Sequence, residues 1–520
     1  MIKKLHIVIT FFCFFILSEV FTQLNKPNVV FIMCDDLNDY QGVFGGHPQA
    51  KTPNIDKLAN SGIRFANAQT NVPVCQPSRN SLFTGVYPHN SKDFKWTPKE
   101  KQETLKNNKT LMNLFRENGY LTLGTGKLMH GKSKDGWDMW GEPHVQNYGP
   151  FYFDGEKVVS NPGTPEPFNK IGPIDGSFGP LSAGGISNGN KGEKGWILGW
   201  NKKPLRYIND KDRGLLPDEL HAAWAVNKLK KIKNDQNTQP FFMGIGFVRP
   251  HTPLITPDKY FKMFPIETLQ LPKWIEEDVE DTYYIENFGD KLKGSKYFKT
   301  ILDSYNGNRE IALKHFLQAY LACVAFVDEQ VGKVVEALEN SKLSDNTIII
   351  FTSDHGWQMG EKNYLFKNSP WEESARIPMI FKLPNQKGSK SISQPVSLID
   401  IFPTLVDLCN LNGDHRKNSD GGDIGGYSLK PLLYDNGKWK GPNGALTLVG
   451  NNGHTKSPNE QTYSYRTHQF RFIRYGNGKT ELYDHFKDPN EWKNIANDKK
   501  NKKLIKQFSN EMDNIINNRK

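Results

Sequence analysis

Three apolar runs stand out from a chain otherwise rich in polar and turn-forming residues. Asn28-Val29-Val30-Phe31-Ile32-Met33, the segment from Gln239 to Phe247, and Thr347-Ile348-Ile349-Ile350-Phe351-Thr352 are short and largely continuous. Runs of that kind predict strands covered on both faces. Between them the spacing changes to that of helices. Thr52 as N-cap and Pro53 in the first turn open one. Leu111 to Asn118 forms another, stopped by Gly119, and Asp218 to Ile232 and Ala312 to Leu338 follow. Strands alternating with helices predict an α/β domain. From about residue 445 the pattern becomes short alternating segments (Tyr463 to Thr467, Phe470 to Tyr475, Thr480 to Tyr483) and then a basic helix. The expected division is a main domain over 23–444 and a small subdomain over 445–520. Residues from about 131 to 213, rich in Gly, Pro, Asn and Trp, show little period. So long an irregular stretch in a compact domain is usually functional or disordered, and here it is expected to wall a pocket.

Each buried run ends in residues that carry chemistry, and in open α/β sheets the carboxyl ends of strands are where ligands bind. The first run leads into Cys34-Asp35-Asp36 and the third into Asp354-His355. Paired carboxylates are costly there without a cation or strong donors, although a solvated turn accounts for them equally well. Together the two ends would make an oxygen-rich cation site with one nitrogen ligand. The second run leads into Arg249-Pro250-His251-Thr252-Pro253. Tyr120 to Leu123 leads into Gly124-Thr125-Gly126-Lys127-Leu128-Met129-His130. This G-x-G pair lacks the spacing of a phosphate-binding loop, so Lys127 and His130 are either loop punctuation or site residues. One cysteine is set apart by its neighbours. Val74-Cys75-Gln76-Pro77-Ser78-Arg79 places Cys75 near the start of a helix, where backbone N–H groups and the dipole favour anions. Arg79 adds a cationic fork one turn on. A reactive side chain is thus presented to an anion.

The formal net charge of +11 comes from Lys and Arg spread along the whole chain. No basic helix, zinc-ligand spacing or aromatic RNA-binding pattern accompanies it, so no nucleic-acid partner is expected. An anionic substrate or a basic solvated surface accounts for the charge. Lys3 and Lys4 followed by the apolar stretch from Leu5 to Leu17 read as a signal peptide over residues 1–22. That stretch is short for a membrane span and no other span is expected, so the mature protein is expected to be exported, periplasmic or secreted. Cys13 leaves with the signal. Cys34, Cys323 and Cys409 lie in apolar surroundings and are expected to be buried, inert thiols without a disulfide framework.

The C-x-P-S-R spelling at Cys75, with Thr84-Gly85 after it, resembles the signature of the type I sulfatases. Other motifs agree in order: C-D-D-L-N-D from Cys34, T-P-N-I-D-x-L-A-x-x-G-x-x-F from Thr52, G-K-x-x-H from Gly126, R-P-H-T-P from Arg249 and S-D-H-G-W-x-x-G-E from Ser353. The spellings are most similar to the iduronate-2-sulfatase-like group with its bacterial polysaccharide sulfatases. The resemblance implies an alkaline-phosphatase-like fold: a large mixed sheet flanked by helices, with a small C-terminal antiparallel sheet and helix. It implies that a maturation enzyme converts Cys75 to formylglycine, whose hydrate is the nucleophile. Calcium would be held by Asp35, Asp36, Asp354, His355 and the residue at position 75. Arg79 and Lys127 would steady the hydrate, and Lys367 would contact the sulfate. His251 would be the acid for the leaving sugar, and His130 would take the proton from the second hydrate hydroxyl. The implied substrate is a sulfate ester of a polysaccharide or its oligosaccharides, ulvan or glycosaminoglycan among them and uronate 2-O-sulfate as one form. Trp137, Trp140, Trp196 and Trp200 would then either stack on sugars or pack the loops. Two alternatives stand beside this reading. A phosphatase or phosphodiesterase of the same superfamily would carry a Ser or Thr nucleophile and His-rich two-metal ligation, neither evident here. A non-catalytic glycan-binding protein would keep the fold with Cys75 unconverted.

Overall fold

The computed structural model describes residues 26–517 apart from 95, 132–134, 142–146, 235–238, 289–291, 342, 437 and 451–456. The expected signal peptide lies outside the described residues. Eight strands form the central sheet: β1 (Asn28–Asp35), β2 (Ile63–Phe65), β3 (Leu121–Gly126), β4 (Met139–Trp140), β5 (Phe241–Pro250), β6 (Thr347–Ser353), β7 (Met379–Lys382) and β8 (Lys390–Ile392). Their spatial order is β8-β2-β7-β6-β1-β5-β3-β4. All run parallel except β7, which is antiparallel to both its neighbours. The sheet is therefore mixed.

β1 shows why its run lacks polar alternation. Val30, Ile32 and Cys34 enter one core, while Val29, Phe31 and Met33 enter the other, as side chains alternating across a doubly covered strand must. Helices α1 (Pro53–Asn60), α4 (Pro217–Asn234) and α5 (Arg309–Asn340) cover the first face, and α2 (Cys75–Thr84), α3 (Leu111–Glu117) and α6 (Ile401–Leu408) the second. By length and composition α5 could cross a membrane, but 72% of its most apolar window is buried inside the fold. Thr52 does not cap α1 as expected. Its hydroxyl turns to Asp56 and the Gly42 N–H. The helix's first N–H groups, those of Asn54 and Ile55, are instead taken by the Asp328 carboxylate of α5.

At the C-terminus, strands β9 (Ala445–Val449), β10 (Thr462–Arg466), β11 (Phe470–Arg474) and β12 (Thr480–Asp484) form an antiparallel meander. Helix α7 (Lys502–Asn517) lays Phe508, Met512 and Ile516 against it. A buried ion cluster ties this sheet to the main body. Arg471 pairs with Glu372 and Glu491 and donates to the Pro370 carbonyl at 3.2 Å, and the Trp371 indole donates to Glu481 at 3.0 Å.

The irregular stretch holds a small sheet of its own, Phe151–Phe153 between Val158–Val159 and Gly195–Ile197. Its tryptophans mostly pack rather than face a pocket. Trp196 is buried and donates to the Leu181 carbonyl at 2.9 Å, and Trp137 stacks on Phe242 with centroids 5.8 Å apart. Trp140 sits edge-on to Trp137. Trp200 keeps an exposed face but packs beside Phe151. Among the described residues, no hydrogen bond or ring contact joins any of the four to the strand-end residues described next.

Candidate active site

The carboxyl ends of β1, β3, β5 and β6 converge. β1 delivers Asp35 and Asp36, β6 delivers Asp354 and His355, β5 delivers His251, and β3 delivers Lys127. The approach of β3 to β5 is close: a Cβ on Gly126, whose φ is +74°, would lie 1.9 Å from the Gly246 carbonyl oxygen. The glycine pair therefore brings two strand ends together and is no phosphate loop. Across the cleft, α2 places Cys75 in its first turn, and the chain closes the helix with Gly85 in the left-handed region.

Cys75 is fully buried. Its Sγ lies 3.1 Å from Lys367 Nζ and 3.3 Å from His355 Nε2. Lys367 also donates to Asp36 Oδ1 at 2.7 Å, and Lys127 donates to Asp35 Oδ2. Arg79 does not point its fork at the cysteine. Its Nε donates to Asp354 Oδ2 at 2.8 Å, its Nη2 to Asp35 Oδ1 at 3.2 Å, and its Nη1 to the carbonyls of Lys127 and Leu128. It braces the acidic residues. Asp354 is further fixed through its main-chain carbonyl, which accepts from Thr70 and Ser78 at 2.5 and 2.7 Å.

The donor set fits a hard cation. Ligand atoms of Asp35, Asp36, Cys75 and His355 all lie within 4.8 Å of one another. His355 donates from Nδ1 to the Gly356 carbonyl at 3.1 Å, which leaves the lone pair on Nε2 facing the carboxylates. Asp36 Oδ2 is buried and accepts no hydrogen bond among the described residues, and Asp36 holds a left-handed φ of 63°. A carboxylate oxygen aimed into a buried space beside an imidazole lone pair is what an oxygen-preferring divalent ion requires.

With this geometry in place, the comparisons fall on one family. Residues 27–411 match the sulfatase family model, and residues 360–518 match the C-terminal model of N-sulphoglucosamine sulphohydrolase. The chain belongs to the sulfatase family. It is 33% identical to a sulfatase of Formosa agariphila over 94% of this chain and 86% of that one. Human iduronate 2-sulfatase is 27% identical over 78% of this chain and 74% of its own. Among solved structures, that of Ps i-CgsB in complex with k-i-k-neocarrahexaose aligns with a TM-score of 0.62 at 25% identity, covering 95% and 94% of the two chains. This sulfatase is thus a sulfuric ester hydrolase related to the iduronate-2-sulfatase-like group.

The electrostatics of the sulfatase site set its protonation states. A helix N-terminus usually lowers a thiol pKa, yet burial, reinforced by Asp35, pushes Cys75 up. The bare thiol is not an activated nucleophile. Burial and the Lys367 ammonium hold His251 well below its ordinary value, and burial with Lys127 lowers His130 to about 3. Both are neutral near pH 7, the state of a proton acceptor, so His251 does not rest as an acid. His130 Nε2 meets the Tyr148 hydroxyl at 3.4 Å, and its ring sits edge-on to Trp96.

The carboxylates divide sharply. Burial works against Asp35, but Lys127, His251 and Arg79 outweigh it and hold the group well below the carboxylate range. Burial, only partly offset by Lys367, pushes Asp36 up to about 8. Lys367 stays charged, because Asp36, Cys75 and Asp35 overcome the cost of its burial. Two residues that the sequence reading did not single out join the site. Tyr148 lies under Lys127 Nζ at 4.8 Å and against the His251 ring at 4.7 Å; Trp96 stands at the outer edge beside His130. Tyr148 falls within the stretch expected to wall the pocket. Trp96 carried no local signal.

Proposed function

We propose that the protein is an exported, calcium- and formylglycine-dependent sulfatase. Its substrate would be a sulfated polysaccharide or its oligosaccharides, of ulvan or glycosaminoglycan type, with uronate 2-O-sulfate as one form. The observation that carries this is the placement of Cys75 Sγ, in the first turn of α2, within 3.3 Å of both the Lys367 ammonium and the His355 lone pair. The similarity to human iduronate 2-sulfatase supports the substrate class.

Calcium held by Asp35, Asp36, Asp354 and His355 would supply Lewis-acid polarisation of a sulfate oxygen, and formylglycine at position 75 an oxygen nucleophile. The residues around them do the rest. Lys367 lies where a sulfuryl group at position 75 brings its negative charge, and it neutralises that charge as it develops. Lys127 does the same from the Asp35 side. Arg79 keeps Asp354 and Asp35 in register. His251 binds the Thr252 carbonyl through Nδ1 at 2.6 Å and turns Nε2 to within 3.8 Å of Asp36. A sulfate monoester entering beside it raises its pKa, so His251 takes up a proton with the substrate and passes it to the departing sugar oxygen. His130, held beside the Tyr148 hydroxyl, would take the proton from the second hydroxyl of the formylglycine hydrate.

The test is the mass of the peptide containing Cys75 from the native host, with desulfation of a panel of ulvan and glycosaminoglycan oligosaccharides. A peptide lightened by exchange of thiol for aldehyde, with sulfate released from one panel member, is the expected result. An unmodified cysteine with no sulfate release would overturn the proposal.

A further inference from the structure

A cavity of about 350 Å³ takes its walls from the two segments that also build the candidate active site. Tyr40, Gly46, His47, Gln358, Glu361 and Glu373 are among the residues that line it. Tyr40 follows Asp36 by four residues, and Glu361 and Glu373 stand six residues to either side of Lys367. The lining residues and their neighbours in the chain are all among the described residues.

The charges around this cavity do not balance. Arg376 pairs with Asp39 at 2.6 Å, Lys362 with Asp278 at 2.6 Å, and Arg466 and Arg471 with Glu372. Arg309 gives its donors to Asn363 and the Gly360 carbonyl, and Lys273 is exposed. Glu361, which accepts from the Met359 N–H at 2.6 Å, and Glu373 are left without an ion pair among the described residues. Burial raises the carboxyls of Asp39, Glu361 and Glu373, that of Glu361 to about 7, and Asp39 and Glu361 add to the rise at Glu373.

Three oxygens here are buried and make no hydrogen bond among the described residues: Asp39 Oδ1, Glu373 Oε2 and Tyr40 Oη. Asp39 and Tyr40 are only 4% and 1% exposed. A Cβ on Gly46 would lie 2.2 Å from Asp39 Oδ1, so a glycine in the cavity wall leaves that oxygen its room. Buried carboxylates without partners take protons or require a cation. Protons on the two glutamates would leave Asp39 Oδ1 and Tyr40 Oη unmet, whereas the waters of a hydrated cation donate to all three oxygens. A set made only of oxygens selects a hard ion. The carboxylates of Asp39, Glu361 and Glu373 are not gathered within 4.8 Å of one another, as the ligand atoms around Cys75 are. That spacing suits magnesium, which keeps several waters and meets only one or two carboxylates. The cavity has room for roughly ten waters.

We propose that this cavity holds one hydrated magnesium ion, its charge balanced by Glu361 and Glu373 and its waters donating to Asp39 and Tyr40. The ion ties the segment after Asp36 to the segment that carries Lys367. Tyr40 packs edge-on against Tyr320, whose hydroxyl donates to the Asp36 carbonyl at 2.7 Å, so the tie reaches the strand-end residues. It takes no part in the reaction, and the site stands independently of the sulfatase proposal.

The test is thermal unfolding of the full chain with one equivalent of calcium, titrated with magnesium chloride against sodium chloride of equal ionic strength, while calorimetry counts the bound ions. Wild type is expected to bind one magnesium ion and to melt about 2–3 °C higher at a hundredfold excess over Kd. Glu361→Gln and Glu373→Gln, which keep the side-chain shape, should each weaken binding at least about tenfold, and the double variant should lose the shift. Absence of a magnesium-specific shift and of bound magnesium in wild type overturns the site, and that result needs no variant to fold. A wild-type shift that persists in the folded double variant places the ion elsewhere and overturns it equally.

Discussion

Arg79 offers the sharpest test of how the site is held. Its guanidinium is fully buried and divides its donors between two carboxylates and two main-chain carbonyls. Among the described residues Asp354 pairs with no other Lys or Arg, whereas Asp35 keeps Lys127. Truncation to alanine thus leaves one buried carboxylate without its charged partner, a loss of about 3–5 kcal/mol. The vacated space admits water, which serves the carbonyls of Lys127 and Leu128, so these add little. Against a total stability of about 5–15 kcal/mol this is a large share. Arg79→Lys keeps the charge but loses the fork and reaches one carboxylate; about 2 kcal/mol is expected. The assay is urea denaturation followed by tryptophan fluorescence, run in chelator on wild type, both variants, Asp354→Asn and the double variant Arg79→Ala/Asp354→Asn. The double variant should be less destabilised than the sum of the singles by about 0.5–3 kcal/mol. A wild-type midpoint for Arg79→Ala, or strictly additive losses, would refute the bracing role.

Further outcomes follow from the same geometry. Lys367→Met is expected to lower kcat about 10²–10³-fold with the melting temperature little changed, because the freed Asp36 carboxyl can stay protonated near neutral pH; gross unfolding would show that Lys367 serves structure instead. His251→Gln should cut kcat on a sugar sulfate by about 10²–10⁴ but much less on an aryl sulfate whose phenolate leaves without help, and equal losses on both would remove the acid role. Removing divalent ions by EDTA should abolish turnover and calcium restore it, while Asp36→Asn should need a higher calcium concentration, read by titration of activity and by calorimetry. Arg471→Met should destabilise the protein by about 3–5 kcal/mol and impair catalysis indirectly; full activity and stability would mean that the Glu372–Arg471–Glu491 cluster does not hold the Lys367 segment.

The strand-end chemistry was legible in the sequence for a simple reason. A continuous apolar run that stops at charged residues marks both a doubly covered strand and the end where ligands gather, which is how Asp35, Asp36, Asp354, His355 and His251 stand out. Lys127 is set apart from loop punctuation, and Lys367, in a loop between short elements, is marked, only by resemblance to the family motifs. β2, β7 and β8 are three or four residues long, too short to print a period. The cap of α1 comes from Asp328 on a helix far away in the chain, so Thr52 drew an assignment that tertiary packing overrode. Aromatic exposure was the least legible feature. Trp196 and Trp96 look alike in sequence, yet one is buried within a strand of the small sheet and the other stands open beside His130, a difference set by non-local contacts. The histidine charge states were not legible for the same reason, since their pKa values are set by burial and by ammonium groups from other strands and loops.

Burial of Cys75 also fixes when its chemistry can change. The thiol has no exposed surface once the fold is complete, and the segment carrying Lys367 above it is pinned by Arg471 and Glu491. Those anchors emerge from the ribosome after roughly four hundred further residues, on the order of 20–80 s of synthesis. An enzyme that alters Cys75 has that interval, while the segment is still extended, in which to act. If activity requires formylglycine, as proposed, a molecule that folds first would keep its thiol until it unfolds, and the fraction of competent protein in a preparation would report a race between modification and folding rather than the quality of the folded site.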